Sequence, residues 1–314
     1  MVSVKAKGYG KVILFGEHFV VYGLPGIASG IDKYVEVEIQ ELKDTKDIIF
    51  DDKVFKEKFT LKEQPEHIKS KMLKAIIEGE EFVTLEGLKI IINANLPAGG
   101  GLGYSAALAV AMAGALNQIF ELGWKQNQIN EAAYKAEKIT HGTPSGIDNS
   151  CATYGTVIWF EKNMKGGENT IRPFKCGKSL LCLLVDTGIK HDTKKAVTMV
   201  RENKEKEPKK YNKLFSEYKN IVSKAKKEIQ YGGVEEIGKL MNQNHALLKE
   251  LNISTKEIDE IIKIATFENA RGAKITGAGM GGNVLILCYN EAQQNKLMEM
   301  YATKNYNSIK IKIS

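Results

Sequence analysis

Short apolar runs and strict alternations fill the first third of the chain. The run KVILFG at 11–16 reads as a strand, and so does YVEVEIQ, which sets Val35, Val37 and Ile39 against Glu36, Glu38 and Gln40 as a half-buried strand does. EHIKSKMLKAIIEG instead gathers Ile68, Met72, Ala75 and Ile76 on one side at helical spacing, and LKIIINANLP returns to strand. From 104 to about 122 small apolar residues leave no polar face, which predicts a helix buried on most sides. The next helix, NQINEAAYKAEKIT, carries its stripe on Ile129, Ala132, Ala133, Ala136 and Ile139; the loop HGTPSGIDNS ends it, and GTVIWF is a strand. After the turn-rich EKNMKGGENT the pattern changes. SLLCLLVDT is a continuous apolar strand, 193–270 is mainly helical, NVLILCY is a strand, 291–302 a helix and SIKIKIS an alternating strand. This order predicts an α+β chain with an antiparallel sheet and a domain boundary near residue 175, giving domains 1–175 and 176–314.

Composition narrows the class. A length of 314 residues suits two domains of ordinary size, and 43% hydrophobic with 26% charged residues is the balance of a globular protein. The longest uncharged apolar run, 106–116, falls well short of the ~20 residues that cross a bilayer. The N-terminal stretch has no signal-peptide cleavage site, so a cytoplasmic protein is expected. Cys151, Cys176, Cys182 and Cys288 form no C-x-x-C pair, which argues for buried, reduced thiols rather than a disulfide framework or a zinc site. The net charge of +7 suits nucleic acid, a membrane surface or an acidic small molecule. The densest lysine cluster, RENKEKEPKKYNK, interleaves glutamates, and no basic face carries stacking aromatics, so the expected partner is an anionic metabolite, with no nucleic acid and no membrane.

The stretch NLPAGGGLGYSAALAVAMAGAL sets Gly99, Gly100 and Gly101 directly ahead of the apolar helix. Gly101, Gly103 and Ala106 match a dinucleotide-binding spacing, as do Gly277, Gly279 and Gly282 in GAGMGG. A strand follows the second match where a helix is required. The first is lengthened by Pro97 and the extra glycines and lacks an acid ending a second strand about twenty residues on, so hydride transfer is set aside. No G-x-x-x-x-G-K-[ST] occurs. What remains is the physics common to such loops: glycines let N–H groups converge on an anion, and the helix start adds about half a positive charge. A triphosphate fits that description.

Taken singly, the charged residues nearby have ordinary readings. Lys11 reads as a surface lysine, Asp148 in HGTPSGIDN as a turn or capping aspartate, and Glu137 as an exposed helical glutamate. Their combination carries more. GKVILFGEHFVVYG, PAGGGLGYSAA and KITGAGMGG, in this order and spanning nearly the whole chain, resemble the three signature motifs of the GHMP kinase superfamily. HGTPSGIDN and LMNQNHALLKELNIST resemble its mevalonate kinase branch.

The resemblance implies a ribosomal S5-like N-terminal domain and a ferredoxin-like C-terminal domain, with ATP and mevalonate meeting between them. It implies phosphorylation of the C5 hydroxyl of (R)-mevalonate for isoprenoid synthesis. The anion at the glycine loop is then the ATP phosphate tail, with Pro97, Gly99, Gly100, Gly101, Leu102, Gly103, Tyr104, Ser105 and Ala106 as the ATP-binding stretch. By the same resemblance Asp148 acts on the mevalonate hydroxyl with Lys11 as its partner, and Ser105 and Glu137 hold Mg²⁺. Lys11, Asp148, Glu17, His18, Thr193, Gly277 and Ala278 line the substrate. Members of the family are often dimers, so a homodimer is also implied.

General chemistry agrees with these roles. Phosphoryl transfer asks for positioning and charge neutralisation more than for covalent work. Mg²⁺ takes one or two protein oxygens and the rest from phosphate and water. A carboxylate beside a lysine is ionised at neutral pH and accepts a hydroxyl proton.

Three positions depart from the family pattern. Tyr104 stands where the family has the first serine of GLGSSAA, Tyr9 where it often has proline, and Met280 interrupts the glycine run of the third motif. These replacements put the details of the phosphate grip in question, whereas Lys11, Ser105, Glu137 and Asp148 are retained. Two alternatives stay open: another small-molecule kinase of the superfamily, acting on phosphomevalonate or a sugar, and a catalytically silent binding protein on the same scaffold.

Overall fold

The computed structural model describes residues 2–80, 83–190 and 192–314. Two compact units interleave in sequence: one holds the chain up to Lys11 with Asp32–Gly155, the other holds Val12–Ile31 and Thr156–Ser314. Two long strands cause the interleaving, β1 (Ser3–Phe15) and β2 (Gly26–Glu41), each of which begins in one unit and ends in the other. Turn-rich sequence near residue 175 carries no sign of this exchange, because it happens inside continuous strand.

The first unit continues with β3 (Ile48–Asp52), β4 (Glu57–Thr60), α1 (Ile68–Ile76), β5 (Leu88–Ala94), α2 (Tyr104–Ile119), α3 (Gln126–His141) and α4 (Ile147–Tyr154). β3 pairs antiparallel with β4 and parallel with β5, and β5 pairs antiparallel with β2 in the register Val37↔Ile92. The alternation read in β2 is therefore real: Val35, Val37 and Ile39 are fully buried. α2 is buried throughout 106–116, and its alanines and Gly114 let it approach β1 at backbone distance. A Cβ on Gly8 of β1 would stand 2.0 Å from the Ala107 carbonyl oxygen.

α3 departs from expectation at its edge. Its buried residues are Ala132, Ala133, Ala136 and Glu137, while Ile139 is 45% exposed. Alanines pack this helix closely enough against α2 and α4 that a carboxylate, not an isoleucine, turns inward. The stretch HGTPSGIDNS is a loop only in its first half, since α4 starts at Ile147 after Gly146 takes a left-handed conformation.

The second unit adds β6 (Val157–Glu161), β7 (Thr170–Phe174), β8 (Leu180–Asp186), α5 (Thr193–Lys206), α6 (Pro208–Tyr231), α7 (Val234–Glu250), α8 (Lys256–Phe267), β9 (Gly272–Thr276), β10 (Asn283–Leu287), α9 (Glu291–Thr303) and β11 (Asn307–Ile313). The start of β2 pairs with β6, and β6 with β7. The remaining strands form an antiparallel sheet in the order β11-β8-β10-β9. With α5–α8 between its first two strands and α9 before its last, this is a ferredoxin-like βαββαβ arrangement. Cys151, Cys182 and Cys288 are buried, Cys176 is half-buried, and none of the four is in a disulfide. Among the described residues no helix is long and apolar enough to cross a membrane.

α7 carries a pH-sensitive weak point. His245 is 8% exposed and its Nδ1 has no hydrogen-bond partner. Burial first, then Lys274, pushes its pKa from 6.5 down to about 4, with Asp259 opposing and Lys249 adding. The folded state therefore holds the neutral imidazole: this contribution to stability is intact above pH 6.5 and is lost as pH falls toward 4, where only the unfolded chain takes up the proton. The loss amounts to about 3 kcal/mol. Urea denaturation at pH 7 and near pH 4 should show His245→Gln losing that much less than the wild type on acidification. Equal losses in the two proteins would contradict the assignment.

Candidate active site

The sequence-derived candidates fall into two groups, one in each unit. In the first unit Gly99, Gly100, Gly101 and Gly103 all have φ between 65° and 94°, a region that side chains disfavour and glycine enters freely. Gly103 is the residue ahead of α2, whose start carries no side-chain cap and no acid in its first turn. Uncapped N–H groups at the start of a long helix favour an anion. Pro97 and the three consecutive glycines are exposed, Leu102 is buried, and the Leu102 carbonyl accepts from the Lys11 N–H at 2.9 Å, so β1 holds the loop from below. A Cβ on Gly103 would lie 3.0 Å from Lys11 Cγ, so the glycine also leaves room for the lysine stem.

Lys11 Nζ lies 3.1 Å from Asp148 Oδ1, with side chains 14% and 37% exposed. Asp148 sits in the first turn of α4 rather than in a loop. Beside this pair, Ser105 at the start of α2 has its Oγ 3.1 Å from His141 Nε2, which is 3.7 Å from Glu137 Oε2. The Glu137 side chain is 1% exposed and its Oε1 has no partner. Burial raises its pKa, as does the Asp148 charge, against the opposing pull of Ser105, His141 and Lys11. Lys11, Ser105, Glu137 and Asp148 are thus one electrostatic neighbourhood. Among the described residues no cluster of three or more His, Cys, Asp or Glu is arranged for a metal ion, so any cation here would take its oxygens from the Ser105–Glu137 pair and from a ligand.

The replaced positions find structural uses. The Tyr104 ring packs edge-on to Phe55 at 5.8 Å, and its buried hydroxyl has no partner. Burial, with Asp52 and Glu57 adding, pushes the phenol pKa up and keeps it protonated. The Tyr9 ring covers Gly155 at the end of α4, where a Cβ would meet it at 2.8 Å.

In the second unit Gly277 and Ala278 lie in the loop after β9, and Thr193 is exposed in the first turn of α5. Glu17 and His18, expected at the substrate, are sealed instead. The Glu17 side chain is 0% exposed and bonded to Lys274 of β9 and Asn244 of α7. His18 is 2% exposed and donates from Nε2 to the Ala278 carbonyl at 2.7 Å; burial lowers its pKa, which favours the neutral ring. Burial explains the difference, since the first motif turns both side chains inward once β1 has ended.

Asn130, His141, Asn244 and Lys274 were not legible as site residues, because single polar residues on helices and strands read as solvent-facing. Asn130 ties the helix bearing Glu137 to the helix bearing Asp148: its Oδ1 accepts from Asn149 Nδ2 at 2.8 Å and from Thr153 Oγ1 at 3.2 Å. Asn149 is 2% exposed, and Asn130→Ala leaves its Nδ2 only the 3.4 Å bond to the residue-130 carbonyl while the Thr153 hydroxyl loses its acceptor, so stability should fall by about 1–3 kcal/mol in chemical denaturation. A change below about 0.5 kcal/mol, the range of an ordinary surface substitution, would show that the network is solvent-exchanged.

Comparison with known proteins gives concordant matches. The model of the GHMP kinases N terminal domain matches residues 67–156, and that of the GHMP kinases C terminal region matches 225–307. The chain is 35% identical over 311 residues to mevalonate kinase of Pyrococcus furiosus, covering 93% of this chain and 91% of that one. Among solved structures, L. major mevalonate kinase in complex with R-mevalonate aligns with a TM-score of 0.87 at 30% identity, covering 99% of this chain and 96% of that one. The Methanococcus jannaschii mevalonate kinase aligns with a TM-score of 0.86 at 29% identity, covering 100% and 99%.

Proposed function

The chain belongs to the GHMP kinase family, and from that premise we infer that it transfers the terminal phosphoryl group of ATP to the C5 hydroxyl of (R)-mevalonate, giving 5-phosphomevalonate for isoprenoid synthesis. The observation that supports this most directly is the Lys11–Asp148 pair, 3.1 Å apart in the same unit as the glycine loop. Asp148 Oδ accepts the proton of the substrate hydroxyl as the new O–P bond forms and the bond from the γ-phosphorus to the β-phosphate oxygen breaks, releasing ADP. Lys11 holds the aspartate and the hydroxyl together and offsets the charge that develops between them. The N–H groups of 97–106 and the start of α2 take the phosphate oxygens.

Ser105 and Glu137 are the residues that would hold Mg²⁺. A hydroxyl beside a buried carboxylate with one unpartnered oxygen is an incomplete set of hard oxygen donors, the kind this cation completes with phosphate and water. When bound, Mg²⁺ neutralises phosphate charge. Thr193, Gly277 and Ala278 are proposed as mevalonate contacts, and the family's domain division is proposed near residue 175, in keeping with matches at 67–156 and 225–307.

The test is ADP release with product identification, offering mevalonate, phosphomevalonate, galactose and homoserine separately. Turnover of mevalonate alone is expected. Preference for another acceptor would reassign the chain to a sister kinase, and no turnover at all would leave a silent binding protein.

A further inference from the structure

Lys274 is a fully buried charge in the second unit that the proposed reaction does not use. Its side chain is 0% exposed; Nζ donates to the Glu17 carboxylate and to the Ile275 carbonyl, the latter at 2.6 Å. Glu17 Oε2 also accepts from Asn244 Nδ2 at 3.2 Å and from the Gly16 N–H at 3.1 Å, so both carboxylate oxygens are engaged. Burial pushes the Glu17 carboxyl up and the Lys274 ammonium down, and each partner opposes the other's shift. Taking two charges out of water is costly, and an apolar pair of the same volume is often as stable or more so. Stability alone is therefore a poor account of this pair.

Its place in the chain suggests another. Three alternate residues, Lys274, Thr276 and Ala278, reach the same segment at 13–18. Thr276 Oγ1 accepts from the Ile13 N–H and donates to the Ile13 carbonyl, both at 3.0 Å, and the Ala278 carbonyl takes the His18 proton at 2.7 Å. The loop that follows has little conformational preference of its own: Gly277, Gly279, Met280, Gly281 and Gly282 all have positive φ. Backbone bonds from Met280 to Ile253 and from Gly282 to Ile189 hold its far side. Its near side depends on the segment at 13–18 being fixed.

We propose that Lys274 is a positioning residue: by clamping Glu17 it fixes the segment after β1, and through His18 and Ala278 it sets the conformation of the 277–282 loop for substrate. The proposal deepens the reading above, on which its link to mevalonate rests. A charge pair serves this purpose because it is directional. Apolar packing would hold the segment down without fixing where His18 points.

The experiment replaces both charges, Glu17→Met with Lys274→Met, so that no lone buried charge remains. The double variant should fold, with its melting temperature unchanged or raised. Amide hydrogen exchange across 277–282 should accelerate about tenfold while β10 stays protected. KM for mevalonate should rise about tenfold with kcat changed less than about threefold, as loss of ground-state positioning requires. A folded double variant with wild-type loop exchange and wild-type KM would overturn the proposal. Should the variant fail to fold, the wild type decides: the His18 ring N–H that bonds the Ala278 carbonyl must be protected from solvent exchange, and free exchange there overturns it. A protected His18 ring in a wild-type protein that does not turn over mevalonate would instead count against the assigned reaction and leave the clamp standing.

Discussion

Asp148→Asn should lower kcat by at least ~10²-fold while leaving the melting temperature within a few degrees of the wild type. The amide keeps the shape of the carboxylate and can still accept from Lys11, but it cannot take the proton of the mevalonate hydroxyl. The fold has little at stake, because the side chains are 14% and 37% exposed and ion pairs this open to water contribute about 1 kcal/mol or less. Glu137 is a poor substitute base, because the proposed function assigns it to the cation beside Ser105. Lys11→Met should cost a similar factor. The double variant should cost scarcely more than either single one, since groups that act as a unit are not additive. Steady-state kinetics with purified variants checks all three. An Asp148→Asn enzyme within about fivefold of wild-type turnover would remove Asp148 from the reaction, because general base catalysis contributes ~10²–10⁴-fold.

Parts of this arrangement could be read from the sequence, and the reasons for the others are physical. The α+β class, the buried helix after the glycines and the all-helical stretch between β8 and β9 follow from periodicity, which is strong wherever one face is wholly apolar. β3, β4 and β7 were not legible, since strands of 5, 4 and 5 residues with charged or exposed positions carry almost no alternation. Among the site residues, Lys11 and Asp148 could be paired only through resemblance to a family. Separated by most of the first unit's sequence, they are joined by the fold alone. Glu137 illustrates a different limit: its spacing put it beside the apolar stripe, and the small side chains of α2 and α3 drew that position inside. Lys274 sits among apolar residues in AKIT, where a lone lysine usually marks a solvent face. Its partner Glu17 lies more than two hundred residues away, and no local pattern could have named it.

Glu137→Gln is expected to move stability and activity in opposite directions. The Glu137 side chain is 1% exposed, one of its oxygens has no partner, and burial raises its pKa from the ordinary 4.5. A carboxyl whose pKa is raised by folding contributes fully when protonated, below about pH 4.5, and that contribution is lost as pH rises through the folded-state value. At neutral pH the unliganded chain therefore folds against the cost of burying a carboxyl that its unfolded state holds ionised and hydrated. The neutral amide removes that cost, so the unliganded variant should be more stable at pH 7 by about 1–3 kcal/mol, the scale of an unrepaid buried polar group. The gain should vanish near pH 4, where the wild-type residue is itself neutral. Turnover should fall ~10²–10³-fold, the usual cost of losing one group that stabilises transition-state charge. Mg–ATP should also raise the melting temperature of the variant less than that of the wild type, since ligand stabilisation follows affinity. A variant that is less stable than wild type at pH 7, or that keeps wild-type turnover, would mean that the buried carboxylate serves the packing of α3 and holds no cation. Retained function with lost stability is the pattern of a structural residue, and the reverse is the pattern of a residue kept for its ligand at a cost to the fold.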